Sequence, residues 1–298
     1  FFKQKTAYEI YQCDWSSDVC SSDLSRPAGL HFFAEVLPLH IRSLPLIIDT
    51  HAHALDAAFL DELCKKPQFG LAAERRSDGR YWLKRGDGPF HSLDENLTDV
   101  EKRVASLARR NVELQLIGPP PGFVAWPGGA AGVDYARKIN EHGARVASQG
   151  QGRIELMATL ALAEPERCAY ELERAVDMYG ARSALLPATA GGRPLDGPEF
   201  DALFTVAEKL GLLLFMHPVS AEPPNRFPLY GVQVLVQWPF ETTLSVTRMI
   251  FEGVFDRHPG LQLLLAHGGG NLIFLKGRLD SAYEATGWEA DQIGRAHV

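Results

Sequence analysis

Apolar positions along the chain alternate between two patterns. Short, nearly continuous apolar runs fall at residues 44–50, 112–118, 154–162, 182–187, 212–216 and 261–266. Between them lie stretches whose apolar residues recur every three or four positions, at 93–110, 133–148, 165–180, 199–210, 241–258 and 271–285. The first pattern suits strands buried on both faces and the second suits amphipathic helices, so the alternation predicts strand–helix units around a parallel sheet. Gly180, Gly211 and Gly260 stand where those helices should stop, and Pro198 and Pro239 where they should start.

Six βα units are countable. A doubly wound sheet could hold six, but buried strands that end in histidines fit a TIM (β/α)8 barrel, here truncated after about six units. The first and last strands would then carry unpaired edges. Residues 55–92 form a Gly- and Arg-rich connection, too long for an ordinary βα loop, and are expected to cap the active face rather than to form a separate domain.

Of the ten histidines, four fall at strand carboxyl ends. His51 and His53 close the first run in Ile-Asp-Thr-His-Ala-His; residues two apart on a strand share a face, so both imidazoles should project together. His217 follows the fifth run in Met-His-Pro and His267 the sixth in Ala-His-Gly-Gly-Gly. Each alone could be a packed or solvated histidine, but on a barrel all four converge on one mouth. Three imidazoles with an open position make a catalytic metal site, and a fourth histidine can move a proton beside it. His142 and His258, among polar neighbours, are expected on the surface. Gly268 to Gly270 lack a phosphate-loop spacing and are expected to let the chain turn closely over the site.

Composition narrows the partners. The 298 residues are 46% hydrophobic and 22% charged, with a formal charge of -7, an ordinary globular balance that argues against a nucleic-acid footprint. No apolar stretch approaches the roughly 20 residues of a membrane span, and no secretory signal is legible, so the expected compartment is the cytoplasm. Cys64 and Cys168 have no metal or disulfide spacing.

The two ends read differently from the middle. The codons GAC GTG TGC TCT TCC GAT CT can encode Asp18 to Leu24, and their reverse complement contains ATC GGA AGA GCA CAC GTC, which encodes Ile293 to Val298. The expectation is that residues 1–24 and 291–298 translate sequencing adapter. Residues 25–43 are then a leader of uncertain origin, and 44–290 an incomplete barrel domain.

The quoted histidine motifs, together with Trp-Pro-Phe-Glu-Thr-Thr at 238–243, Gly-Pro-Pro-Pro at 118–121 and Gly-Gly-Arg-Pro-Leu-Asp at 191–196, resemble the amidohydrolase-related proteins grouped with aminocarboxymuconate-semialdehyde decarboxylase. The resemblance spans about residues 46–285. It implies one divalent metal, zinc before manganese, held by the residues matching His51, His53 and His217 and by an aspartate after strand eight, which would fall beyond residue 298. It implies His267 as the acid/base histidine. It implies further that a small unsaturated or aromatic carboxylic acid loses CO2, with hydrolysis of an ester, lactone or amide as the alternative chemistry and a non-catalytic or inactive homologue as the third. Arg278 matches an arginine that reaches a neighbouring subunit's site, which implies a homodimer. A second substrate arginine is replaced by His91, with Arg80 and Arg85 nearby. Asp49 is expected to brace a histidine or the metal site from outside the ligand set.

Overall fold

The computed structural model describes residues 47–124, 129–219 and 232–285. The stretches 1–24, 25–43 and 291–298, set apart above, lie outside the described residues. Nine strands and eight α-helices are described, in the order β1 (Ile48–His53), α1 (Ala57–Lys65), β2 (Leu71–Arg75), β3 (Tyr81–Arg85), β4 (His91–Ser92), α2 (Val100–Arg109), β5 (Leu114–Gly118), α3 (Ala130–Gln149), β6 (Ile154–Thr159), α4 (Pro165–Tyr179), β7 (Ser183–Pro187), α5 (Asp201–Lys209), β8 (Leu213–His217), α6 (Trp238–Phe251), α7 (Val254–Arg257), β9 (Gln262–Leu265) and α8 (Leu272–Ala285).

Six strands form one sheet in the order β1-β5-β6-β7-β8-β9, every neighbouring pair parallel. Helices intervene between consecutive members, as crossover connections between parallel strands require. The expected part-barrel is therefore present, with β1 and β9 as its edges among the described residues.

Strand alternation divides the apolar residues into two layers. Leu116, Met157, Leu185 and Phe215 pack with one another on the inner face. Ala158, Ala184, Leu186, Leu214 and Met216 pack outward against Leu172 of α4, Phe204 of α5 and Met249 of α6. Both faces of β7 are buried throughout, which is why the run reads as continuous rather than alternating. Helix ends follow the sequence punctuation at two of the three glycines: Gly180 (φ 64°) caps α4 in the left-handed conformation, and Gly211 (φ 62°) turns the chain after α5. Pro165 occupies a first-turn position, where a missing N–H leaves no bond unmade, whereas Pro239 follows a π-helical turn at Gln233–Gln237 and sits inside a helical run already under way at residue 232.

The segment after β1 is more regular than its composition suggests. Residues 57–65 form a helix, and β2, β3 and β4 pair as a small antiparallel sheet. Tyr81, Leu71 and Ala73 from this sheet bury against Phe59, Leu60 and Leu63 of α1 and Tyr135 and Ile139 of α3. Its Gly and Arg residues occupy turns and the exposed face: Gly70, Gly79 and Gly86 all have positive φ. No helix among the described residues is long and apolar enough to cross a membrane.

Candidate metal centre

A flat sheet would keep the histidines apart. β1 and β8 are four strand steps from each other in sheet order, roughly 19 Å at about 4.8 Å per step. Yet the ligating nitrogens of His51, His53 and His217 all lie within 4.8 Å of one another. The curl of the sheet closes that distance, and the inner layer of Leu116, Met157, Leu185 and Phe215 fills its concave side.

Parity aims the side chains. Ala52 and Ala54 of the first strand and its exit pack outward, which turns His51 and His53 inward. On β8, Met216 faces outward while Phe215 and His217 share the inner face. The ring centroids of His51 and His53 are 5.3 Å apart, those of His51 and His217 4.9 Å, and those of His53 and His217 5.2 Å. His267 completes the group from the turn after β9, its ring 5.2 Å from His51 and 4.9 Å from His217. Its backbone takes φ 53°, a left-handed conformation that a non-glycine residue holds only when its surroundings impose it.

Hydrogen bonds fix which nitrogen two of the three rings offer. His53 Nδ1 lies 3.1 Å from the carbonyl oxygen of Pro119, and His217 Nδ1 lies 2.8 Å from that of Pro218. A carbonyl only accepts, so Nδ1 carries the proton in both rings and Nε2 keeps the lone pair. Burial lowers the pKa of all four histidines. His53 falls to about 4, with the neighbouring His51 adding to the effect, and His217 to about 3, where the carbonyl of Pro218 opposes it only in part. In His51 burial outweighs the upward pull of Asp49, and in His267 burial is joined by His51. At neutral pH the cluster is therefore uncharged and carries lone pairs toward a common centre, the state a metal needs. These residues fit a divalent cation.

Two aromatic side chains that the sequence pattern did not single out wall this centre. Trp238 stacks on His267 at 5.8 Å with an interplanar angle of 28° and meets His217 edge-on at 5.4 Å. Phe215 sits 5.1 Å from His51. The Phe215 signal was present, since it stands two residues before His217 on the same strand face. Trp238 had a signal only in the motif it opens, because it stands 21 positions after His217 in sequence.

Other expected site residues lie elsewhere. His91 is exposed on the two-residue β4, opposite Leu83, and Arg278 is exposed on α8; neither makes a described contact with the four histidines. Asp49 accepts from the His51 backbone N–H at 3.2 Å and from Gln115 Nε2 at 2.7 Å, so it meets the peptide frame rather than an imidazole.

The surface assignment of His142 and His258 is corrected: both are buried, at 2% and 6% exposure. His142 falls on the face of α3 that carries Tyr135, Ile139 and Val146, and its Nδ1 lies 2.7 Å from Asp56. His258 Nε2 lies 3.3 Å from Asp201. Carboxylates supplied by distant segments remove the cost of burying each ring, and sequence neighbours do not reveal them.

This curled parallel sheet with a histidine cluster at the carboxyl ends of its strands defines an α/β part-barrel built around a metal centre. The chain belongs to the amidohydrolase family, whose model matches residues 48–295. It is 33% identical over 253 residues to 2-amino-3-carboxymuconate-6-semialdehyde decarboxylase of Dictyostelium discoideum, covering 80% of this chain and 67% of that one. It is 27% identical over 214 residues to gamma-resorcylate decarboxylase of Rhizobium radiobacter, covering 68% and 63%. The fold is shared with 5-carboxyvanillate decarboxylase of Novosphingobium aromaticivorans, solved with manganese and 4-hydroxy-3-methoxy-5-nitrobenzoic acid, at TM-score 0.62 and 21% identity over 80% of this chain and 70% of that one. The chain thus spans about two thirds of the length of the curated relatives it matches.

Proposed function

We propose that this chain carries the metal centre of a non-oxidative decarboxylase acting on a small unsaturated or aromatic carboxylic acid. The observation that carries the reading is the convergence of three neutral imidazoles, their ligating nitrogens within 4.8 Å of one another, beside a fourth histidine. The relatives at 33% and 27% identity are named as decarboxylases, which supports the same chemistry.

His51, His53 and His217 would hold the cation, with an aspartate expected from a strand beyond this chain. A bound divalent cation supplies Lewis-acid stabilisation of negative charge developing on the substrate. Zinc is the ion we expect first, with manganese as the alternative, since an imidazole-rich site with one carboxylate suits both. His267 would carry the proton. As the C–C bond breaks and CO2 departs, its electron pair stays on the substrate carbon, and His267, uncharged at rest, would take up a proton from solvent and pass it to that carbon, returning to the neutral imidazole. Trp238, stacked on His267, fixes the ring plane and offers an apolar wall for an unsaturated acid.

Arg278 would pair with substrate carboxylate across a homodimer, and His91 would face substrate from the small antiparallel sheet. The reading places the enzyme in the cytoplasm with Cys64 and Cys168 unpaired. The test is CO2 release from a panel of muconate, resorcylate and vanillate acids. It uses the metal-loaded 298-residue chain and the same chain extended through its genomic downstream frame. Release by either, abolished in His267→Gln while bound metal persists, supports the proposal. Ester or lactone hydrolysis without CO2 would replace it with a hydrolase.

A further inference from the structure

We propose that Arg103 and Gln115 are positioning residues for the metal centre, joined to Asp49 in a hydrogen-bonded relay that fixes the backbone of His51 and His53. The inference rests on the metal-centre reading and adds residues that touch no ligand ring.

The pairing of β1 with β5 is irregular at this point. Asp49 lies opposite Gln115 and Ala52 opposite Ile117, so three steps on β1 are matched by two on β5, and the extra residue falls within the Thr50–His51 stretch. Such a bulge re-aims the side chains that follow it and breaks the ladder that would otherwise hold them. Something else must hold the strand there.

The relay does so. Arg103 of α2 donates to the carbonyl of His53 at 2.7 Å, to the carbonyl of Asn96 at 2.5 Å and to Gln115 Oε1 at 2.8 Å. Gln115, 3% exposed, passes the chain on by donating Nε2 to Asp49 Oδ2 at 2.7 Å. Asp49 Oδ1 closes it by accepting the His51 N–H at 3.2 Å. The peptide groups of both histidines are thereby tied to one guanidinium, His51 within the bulge through Asp49 and Gln115, and His53 just after it directly. A guanidinium is suited to this because its planar fork donates to several acceptors at once. Gln115 is suited because it accepts from Arg103 and donates to Asp49, which neither a carboxylate nor an apolar side chain can do.

The test measures affinity for Zn2+ and Mn2+ by competition with a chromophoric chelator, and the visible spectrum of the Co2+-loaded chain as a signature of coordination. The variants are Arg103→Met, Arg103→Lys and Gln115→Glu, with Arg257→Lys as a control at a carbonyl and carboxylate contact outside the site. Gln115→Glu keeps size and the acceptor toward Arg103 but sets a second carboxylate against Asp49.

Arg103→Met and Gln115→Glu are expected to bind metal roughly ten- to a hundredfold more weakly, the range seen when groups supporting the ligands are lost. The Co2+ bands should shift in both, Arg103→Lys should recover part of the affinity, and Arg257→Lys should bind as the parent chain does. Unchanged affinity and an unchanged Co2+ spectrum in Gln115→Glu would overturn the inference while leaving the metal centre standing. If Arg103→Met fails to fold, Gln115→Glu decides alone. Failure of the parent chain to bind any of the three ions would overturn both.

Discussion

Asp56 offers a direct test of how the strand bearing the histidines is anchored. Its carboxylate caps α1 by accepting the Ala58 N–H at 3.0 Å, receives His142 Nδ1 at 2.7 Å, and has Arg145 at 3.4 Å. The other ring nitrogen of His142 lies 3.5 Å from Glu62 but is not aligned for a hydrogen bond, so Asp56 is the partner that makes burial of this ring tolerable. Asp56→Ala removes a helix cap, worth about 1 kcal/mol, and strands a buried imidazole N–H, worth about 1–3 kcal/mol, so the expected loss is about 2–4 kcal/mol. Asp56→Asn keeps a capping oxygen and loses only the charge-assisted part of the His142 bond, about 1 kcal/mol. Urea unfolding at neutral pH, followed by far-UV circular dichroism, measures both. Burial alone would raise the Asp56 pKa, but the His142 and Ala58 hydrogen bonds reverse this and hold it below the ordinary carboxylate value of 3.8. A depressed folded pKa gives stability that is fully present above the unfolded value and is lost as pH falls through the folded one. The gap between the parent chain and Asp56→Asn should therefore hold above about pH 4 and close below it. Equal losses in the two variants, or a gap that stays constant into acid, would refute the account.

Three further outcomes are expected. Phe215→Ala, emptying a site 1% exposed beneath His51, should destabilise the chain by about 3–5 kcal/mol in the same unfolding assay. Gly270→Ala should lower stability by about 1–3 kcal/mol and disturb His267. At φ 64° its new Cβ would stand 2.2 Å from the Pro239 carbonyl oxygen, and a changed His267 resonance in NMR would report the disturbance. His217→Ala should weaken metal binding by more than about a hundredfold, exceeding what loss of a supporting group does, and dialysis followed by elemental analysis reads it.

The legible parts of this molecule were those set by local chemistry. Continuous apolar runs announced the parallel strands because helices cover one face of the sheet and the curled inner layer the other. His51, His53, His217 and His267 were legible because strand ends on a barrel share one mouth. The small sheet β2-β3-β4 was hidden because its strands are short and half exposed, so Gly70, Gly79 and Gly86 outweighed a weak alternation. His142 and His258 were misjudged because their carboxylate partners stand 86 and 57 residues away in sequence. The relay through Arg103 and Gln115 was equally hidden, since a lone arginine on an amphipathic helix looks solvated until its acceptors are placed.

Sheet curvature is what turns these local features into one site. His51 and His53 stand on one edge strand, while His217 and His267 end β8 and β9 at the other side of the sheet. Their approach depends on the inner residues between them, because Leu116, Met157, Leu185 and Phe215 set how tightly the intervening strands wrap. An interior close to crystalline density transmits a change of volume as a shift of backbone. A smaller residue at Met157 or Leu185 would therefore act on the metal centre without touching it, by opening the angle between its two halves. It follows that metal affinity and the packing of the inner layer should rise and fall together in variants of these four residues, whereas equal volume changes in the outward layer, at Leu186 or Met216, should alter stability and leave affinity nearly constant.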